Sequence, residues 1–178
     1  INGRSGQWLN RNFGYVSDGI FMSQSEIDEY SVAQDESSDT ERNSTIRPGD
    51  IRFVDLDGND TINFRDQKQI AFANGLPEFI WGMNLGASYK GFNLNVLFQG
   101  ASRYSINISG RARAMFSNSS TPFSYHYDRR WQPDPNDPSV NINPSAEFPA
   151  AATTTSNNNA RNSDFYRKNV SYIRLRNI

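Results

Sequence analysis

The sequence predicts an all-β fold, a section of an antiparallel transmembrane β-barrel with long outer loops, and three observations predict it. Residues 79 to 99 alternate apolar and polar side chains over two stretches of strand length. The alternation changes parity across a two-residue turn at Lys90-Gly91, as a hairpin requires. No run of about 18 apolar residues occurs in the 178 residues, so a membrane could be crossed only by strands.

In the first strand Phe79, Trp81, Met83, Leu85, Ala87 and Tyr89 share one parity, and Gly82, Asn84, Gly86, Ser88 and Lys90 the other, with Ile80 out of place. In the second, Phe92, Leu94, Val96 and Phe98 form the apolar set and Asn93, Asn95 and Gln99 the polar one, with Leu97 the exception. A turn at Lys90-Gly91 pairs Tyr89 with Phe92, Ala87 with Leu94, Leu85 with Val96 and Met83 with Phe98. Every pair joins apolar to apolar on one face. Ten steps from Phe79 to Tyr89 make roughly 33 Å of strand, which a tilt of about 45° projects to roughly 23 Å along a membrane normal. Phe79, Trp81 and Phe98 lie toward one end and Tyr89 and Phe92 at the other, as two aromatic girdles at the membrane surfaces would. Short turns belong to the periplasmic side of such barrels, so the Lys90-Gly91 turn is expected there. A soluble sandwich edge also alternates, and periodicity alone leaves that fold open.

Composition narrows the function. Lys and Arg number 18 against 19 Asp and Glu, for a net charge of −1, which gives no support for nucleic-acid binding through a basic surface. With no cysteine and one histidine, disulfides, thiolate metal sites and multi-histidine zinc sites are excluded. His126 stands between Tyr125 and Tyr127 in a polar, proline-flanked stretch that fits aromatic packing better than catalysis. No serine nucleophile motif and no phosphate-binding glycine loop is present. The chain starts at Ile1 without a signal peptide and stops at Ile178 inside a strand pattern, so both ends read as cut.

Residues 1 to 30 contain the stretches 13 to 16 and 18 to 21, then a short helix announced by Ser23 with Glu26 three residues on, with Ile27 and Tyr30 as its apolar face. Residues 31 to 45 are acidic and serine-rich and read as an exposed linker. Pro48-Gly49-Asp50 forms a turn into a short strand at 51 to 54.

Directly after it, Asp55, Asp57, Asn59, Thr61, Asn63 and Asp66 stand at positions 1, 3, 5, 7, 9 and 12 of an EF-hand-like loop. Calcium takes six to eight hard oxygen ligands, and alternating side chains around a tight loop converge them. Thr61 would offer its backbone carbonyl, and Ile62 at position 8 is the apolar anchor. Asp60 replaces the glycine of position 6 and Asp66 the glutamate of position 12. Two readings fit this spacing: a structural calcium site, or an Asx-rich turn held by its own hydrogen bonds.

The second strand is expected to continue through Tyr104, Ile106 and Ile108. Residues 109 to 168 then form a proline-rich segment without periodicity, too long for a compact domain but ordinary on the outer face of a barrel. Tyr125, Tyr127, Arg129 and Trp131 are its candidate contacts to substrate or partner, since aromatic faces beside guanidinium groups suit sugar rings or peptide side chains. The alternative role for each is packing against neighbouring loops. At the end, Ile173-Arg174-Leu175-Arg176 alternates as apolar-out, basic-in, the start of the next strand over 169 to 178.

Several pieces, in order, resemble the C-terminal barrel section of SusC/RagA-type TonB-dependent outer-membrane transporters of Bacteroidetes. They are Gly14-Tyr15-Val16-Ser17-Asp18-Gly19-Ile20-Phe21 with Ser23-Gln24-Ser25-Glu26-Ile27, and Pro48-Gly49-Asp50-Ile51-Arg52-Phe53 running into Asp55-Leu56-Asp57-Gly58-Asn59-Asp60. Leu76-Pro77-Glu78-Phe79, Ser88-Tyr89-Lys90-Gly91-Phe92, Leu97-Phe98-Gln99-Gly100, Trp131 before a proline-rich loop, and Ser171-Tyr172-Ile173-Arg174-Leu175-Arg176-Asn177-Ile178 complete the series. The family's aspartate-rich loop carries Asp-Gly where this chain has Asn59-Asp60.

The resemblance implies a fragment of a plugged barrel of about 22 strands, with the plug and the TonB-contacting segment outside these residues. It implies active import of oligosaccharides or peptides, with a SusD-like surface lipoprotein as lid and TonB as the energy link. Residues 1 to 78 and 109 to 168 would be extracellular loops, 79 to 108 a hairpin against outer-membrane lipid, and 169 to 178 the next strand. Two rival functions remain at this point: a soluble, calcium-stabilised β-sandwich that binds glycans, and a passive porin-like barrel.

Overall fold

The computed structural model describes residues 11–35, 42–72, 75–116, 119–153 and 157–178. Strands dominate: β1 (Asn12–Gly14), β2 (Ser17–Ile20), β3 (Ile51–Phe53), β4 (Lys68–Ala71), β5 (Phe79–Tyr89), β6 (Phe92–Asn107) and β7 (Arg167–Asn177). Three short helices, α1 (Gln24–Asp28), α2 (Ser124–Arg129) and α3 (Asn157–Ala160), lie in the connections. β5, β6 and β7 form one antiparallel sheet, while β1 pairs with β4 and β2 with β3 as two small antiparallel pairs.

The β5–β6 hairpin has the register that the alternation predicts. Tyr89 pairs with Phe92, Ala87 with Leu94, Leu85 with Val96 and Met83 with Phe98. Lys90 and Gly91 both take positive φ, 47° and 88°, the signature of a type I′ turn. β7 extends the pattern, because Ile173 pairs with Gly100 and Leu175 with Phe98. The rows Trp81–Gly100–Ile173 and Met83–Phe98–Leu175 therefore run across three strands on one face. Nothing described covers that face, and Leu85 is 51%, Ile173 71% and Phe92 81% exposed. The sheet is open, and its three strands do not close into a barrel.

On the opposite face Ser88 donates to Asn93 across the hairpin at 2.7 Å, and Arg174 and Arg176 both donate to Gln99 Oε1, at 3.2 and 3.0 Å. The expected apolar-out, basic-in order of β7 is thus observed, although the strand begins at Arg167, two residues earlier than the sequence reading.

β6 runs to Asn107, beyond the start of β5 at Phe79, which pairs with Ser102. At this level the ladder slips between Ala101 and Tyr104, and Arg103 takes a φ of 57°. The strand continues through Tyr104 and Ile106 as expected, ending one residue before Ile108, but the extra residue brings Tyr104 into step with Ala101 instead of Gly100, so these residues leave the apolar parity of the hairpin. Arg103 also pairs with Glu78 at 3.1 Å, which in turn pairs with Arg11 at 3.0 Å. Bulges commonly mark sheet rims, and this one separates the hairpin from the loops above it.

The loops are the compact part. Ile20, Val32, Ile51, Phe53 and Ile62 from the first loop pack with Trp131 and Tyr166 from the second in one core, and Phe21, Ile27 and Ile46 form a satellite. Ser23 caps α1 by accepting from Glu26 N at 3.3 Å, while Glu26 accepts from Met22 N instead of closing on the cap residue. Past the helix Tyr30 donates to Phe53 O at 2.6 Å, while Ile27 on the helix packs with Phe21 and Ile46.

The exposed-linker reading of 31 to 45 is corrected here. Val32, Gln34 and Asn43 are buried, and Gln34 is 0% exposed; residues 36 to 41 lie outside the described set. Gln34 donates from Nε2 to Ile51 O at 2.6 Å and accepts from Phe53 N at 2.8 Å, so its amide replaces a neighbouring strand along the free edge of β3. Asn158 donates to Ile51 O and Asn159 accepts from Ile51 N, which completes that edge from the second loop.

Candidate functional sites

The aspartate-rich loop folds around its own carboxylates. Asp55 accepts from Gly58 N and Asp60 N, both at 2.8 Å, Asp57 accepts from Asn59 N at 3.3 Å, and Asn59 accepts from Thr61 N at 3.0 Å. Asp66 is fully buried and closes the loop by accepting from Leu56 N at 2.9 Å and Asn63 N at 2.7 Å. Asn63 reciprocates by accepting from Arg65 N, which starts the turn Phe64–Asp66.

Asp60 has a φ of 59°, so this aspartate adopts the left-handed conformation that position 6 of a calcium loop demands. Ile62 at position 8 is buried in the core, and the loop is bridged to Ala33: Ala33 N donates to Asp60 O and Ile62 N to Ala33 O, both at 2.8 Å. Ligand oxygens of Asp55, Asp57 and Asp66 lie within 4.8 Å of one another. Burial works to raise the Asp55 pKa, but the N–H groups of Asp60 and Gly58 outweigh it and hold the carboxyl below its ordinary value.

The hydrogen bonds, from backbone N–H groups and at Asp57 also from Asn59 Nδ2, alone satisfy an Asx-rich turn, yet they keep three acidic groups together. A hard divalent cation fits that donor set. Of the six positions, Asp55, Asp57 and Asp66 are brought together as carboxylates, whereas Asn59 and Asn63 spend their side-chain oxygens on Thr61 N and Arg65 N.

The aromatic candidates of the second loop divide by burial. Trp131 is 3% exposed, packs in the main core and donates from Nε1 to Met22 O at 3.0 Å. Tyr125 stacks on Phe123 at 5.6 Å and donates to Ala112 O at 2.9 Å. Tyr127 is 65% exposed, with the Arg130 guanidinium 4.7 Å over its ring, and Arg129 is ion-paired with Glu147. Packing therefore occupies Tyr125 and Trp131, and Tyr127 and Arg129 face outward.

His126 is fully buried among Tyr125, Phe123 and Phe148, with Nε2 3.2 Å from Ala112 O. Its burial holds the imidazole pKa below the ordinary value. No carboxylate or nucleophile contacts it among the described residues, and its surroundings are those of a packed ring.

Between the loops lies a cleft of about 910 Å³, bounded by the Pro48-Gly49-Asp50 turn on one side and by Arg113, Arg130, Phe148 and Tyr166 on the other. Arg113 donates to Asn159 O at 2.7 Å and lies 4.8 Å over the Tyr166 ring. Burial pushes the Tyr166 phenol up to about 12. The sequence pattern pointed to none of Arg47, Arg113 or Asn159, because the cleft joins segments distant in the chain and none of them carries a local periodicity.

Over 96 residues, 54% of its length, the chain is 31% identical to the TonB-dependent receptor P3 of Formosa agariphila. The match spans 8% of the length of that protein. No protein-family model matches the chain.

Proposed function

We propose that this chain is a stretch of outer-membrane β-barrel wall and extracellular loop from a TonB-dependent importer of the SusC/RagA type. The observation that carries the proposal is the apolar face of the β5–β6–β7 sheet, whose rows cross three strands and stay uncovered while the other face is polar. A sandwich buries one face of each sheet against the other, about 10 Å away. Here the core sits in the loops instead, and the bare face has the height of a lipid bilayer's apolar layer. The similarity to a TonB-dependent receptor supports the same reading.

In this reading β5 to β7 contact lipid, the Lys90-Gly91 turn is periplasmic, and the loop body stands outside the cell. There it would meet an oligosaccharide or peptide and a SusD-like surface lipoprotein, while TonB acts through segments beyond these residues. No bond is broken, so the protein is a transporter and not an enzyme. The Asp55, Asp57 and Asp66 loop would hold a structural Ca²⁺ that stiffens the loop body, with Asn59, Thr61 and Asn63 as the further oxygen positions.

The test is to express the full-length protein in a Gram-negative host, separate the membranes and follow nutrient uptake with and without TonB. Outer-membrane location with TonB-dependent uptake is expected. Recovery in the soluble fraction would overturn the barrel reading, and uptake indifferent to TonB would favour a passive pore.

A further inference from the structure

The cleft between the loops is positively charged in a chain whose net charge is −1. Its described lining carries three arginines, Arg47, Arg113 and Arg130, against one carboxylate, Asp50. That carboxylate is already engaged, since it accepts from Arg47 N at 3.0 Å and from Asn159 Nδ2 at 2.7 Å. The arginines meet no carboxylate in return. Arg113 donates to a neutral carbonyl and stacks on Tyr166, and Arg130 donates to Tyr127 O at 2.7 Å and stacks on Tyr127. Among the described residues none of the three is in an ion pair.

A backbone carbonyl and a ring orient the guanidinium groups of Arg113 and Arg130 without neutralising them, which is the arrangement that suits an anionic ligand. The walls also decide between ligand classes. Pro48, Pro133, Pro138 and Pro149 line the cleft, and proline has no N–H to give to an extended peptide. Among the described residues none of the strands lines it, so peptide capture by strand addition has no template there. Thr45, Ser139 and Gln24 give hydrogen bonds to Asp35, Asp137 and Asp28, which leaves their hydroxyl and amide oxygens to accept from a hydroxyl-rich ligand.

We propose that this cleft binds a carboxylate-bearing oligosaccharide, with Arg47 and Arg130 holding its carboxylates and Arg113 fixing the floor. The proposal rests on the import reading and names the substrate class for it. Arg47 is exposed and Arg130 half-buried, so both can change without disturbing the core.

The test is calorimetric titration of the detergent-solubilised full-length protein with tri-galacturonate and, separately, with its neutral methyl ester. Tri-galacturonate is expected to bind at least roughly tenfold more tightly than the ester, with affinity falling as salt rises. Arg47→Gln and Arg130→Gln together are expected to remove that preference while leaving the unfolding temperature unchanged. Equal binding of acid and ester, no binding of either, or an unchanged preference in the double variant would overturn the proposal. Equally tight binding of tri-glutamate would also overturn it, in favour of an acidic peptide. Because binding is read on purified protein, this outcome is independent of whether cells import the ligand.

Discussion

The indole of Trp81 lies flat against the backbone of Gly100, its cross-strand partner, with Nε1 2.5 Å from the point that a Cβ on Gly100 would occupy. Glycine is required there by the ring above it, since φ is ordinary. An aromatic ring laid over a facing glycine covers backbone that would otherwise be bare. Gly100→Val is expected to push the ring off and to destabilise the sheet by about 1–3 kcal/mol. A double-mutant cycle with Trp81→Leu checks this: the valine should cost much less once the indole is gone.

Leu85 stands mid-strand on the bare apolar face, and Asn84 beside it on the polar one. In a barrel wall Leu85→Arg is expected to cost about 2–4 kcal/mol in folding into lipid, and Asn84→Arg far less. Folding of the full-length protein into vesicles, followed by urea titration, separates the two. Equal tolerance of both would count against the lipid assignment.

Gln34 joins three parts of the loop body by accepting from Phe53 N and donating to Ile51 O and Asn158 Oδ1. Gln34→Leu keeps most of the volume but strands a buried N–H, at about 1–3 kcal/mol for each unsatisfied group. Thermal unfolding of the loop body, read by tryptophan fluorescence from Trp131, should shift downward.

The depressed pKa of His126 sets a pH dependence. Its burial favours the neutral ring when folded, while the unfolded ring takes up a proton below its ordinary value of about 6.5. The unfolded state therefore binds more protons between the folded and unfolded pKa values, and stability falls as pH drops through about 6.5 toward the folded value. His126→Phe should flatten that part of the curve of unfolding temperature against pH, compared with the wild type.

For the acidic loop, Asp57→Ala separates metal binding from folding, because Asp57 is exposed and among the described residues its carboxylate accepts only from Asn59. Added Ca²⁺ is expected to raise the unfolding temperature of the wild type, and of Asp57→Ala much less, with little difference between the two in chelator. An equal Ca²⁺ response in both would sink the metal assignment and leave the Asx-rich turn.

How far the sequence was legible depends on the range of the forces involved. The hairpin was readable to the residue, because a two-residue turn and period-two alternation set register through neighbours in the chain. The same holds for the β7 alternation, the Ser23 cap and the turn at Asp60. The linker reading of 31 to 45 failed for the opposite reason: Gln34 is polar by composition, yet its bonding partners stand 9 to 124 residues away. Trp131 and Tyr125 were readable as aromatic but not as buried, since only the packing of one loop on the other decides which ring is covered.

By itself the sequence determined which residues share a strand face, where the chain turns and which carboxylates ring one loop. Those are consequences of backbone periodicity and local hydrogen bonding. The tertiary structure alone decided that the loops form the core, that Arg103 bulges and reverses the parity of β6, and that three arginines face one cleft. Each of these depends on contacts between distant segments, whose energies leave no periodic trace in the chain.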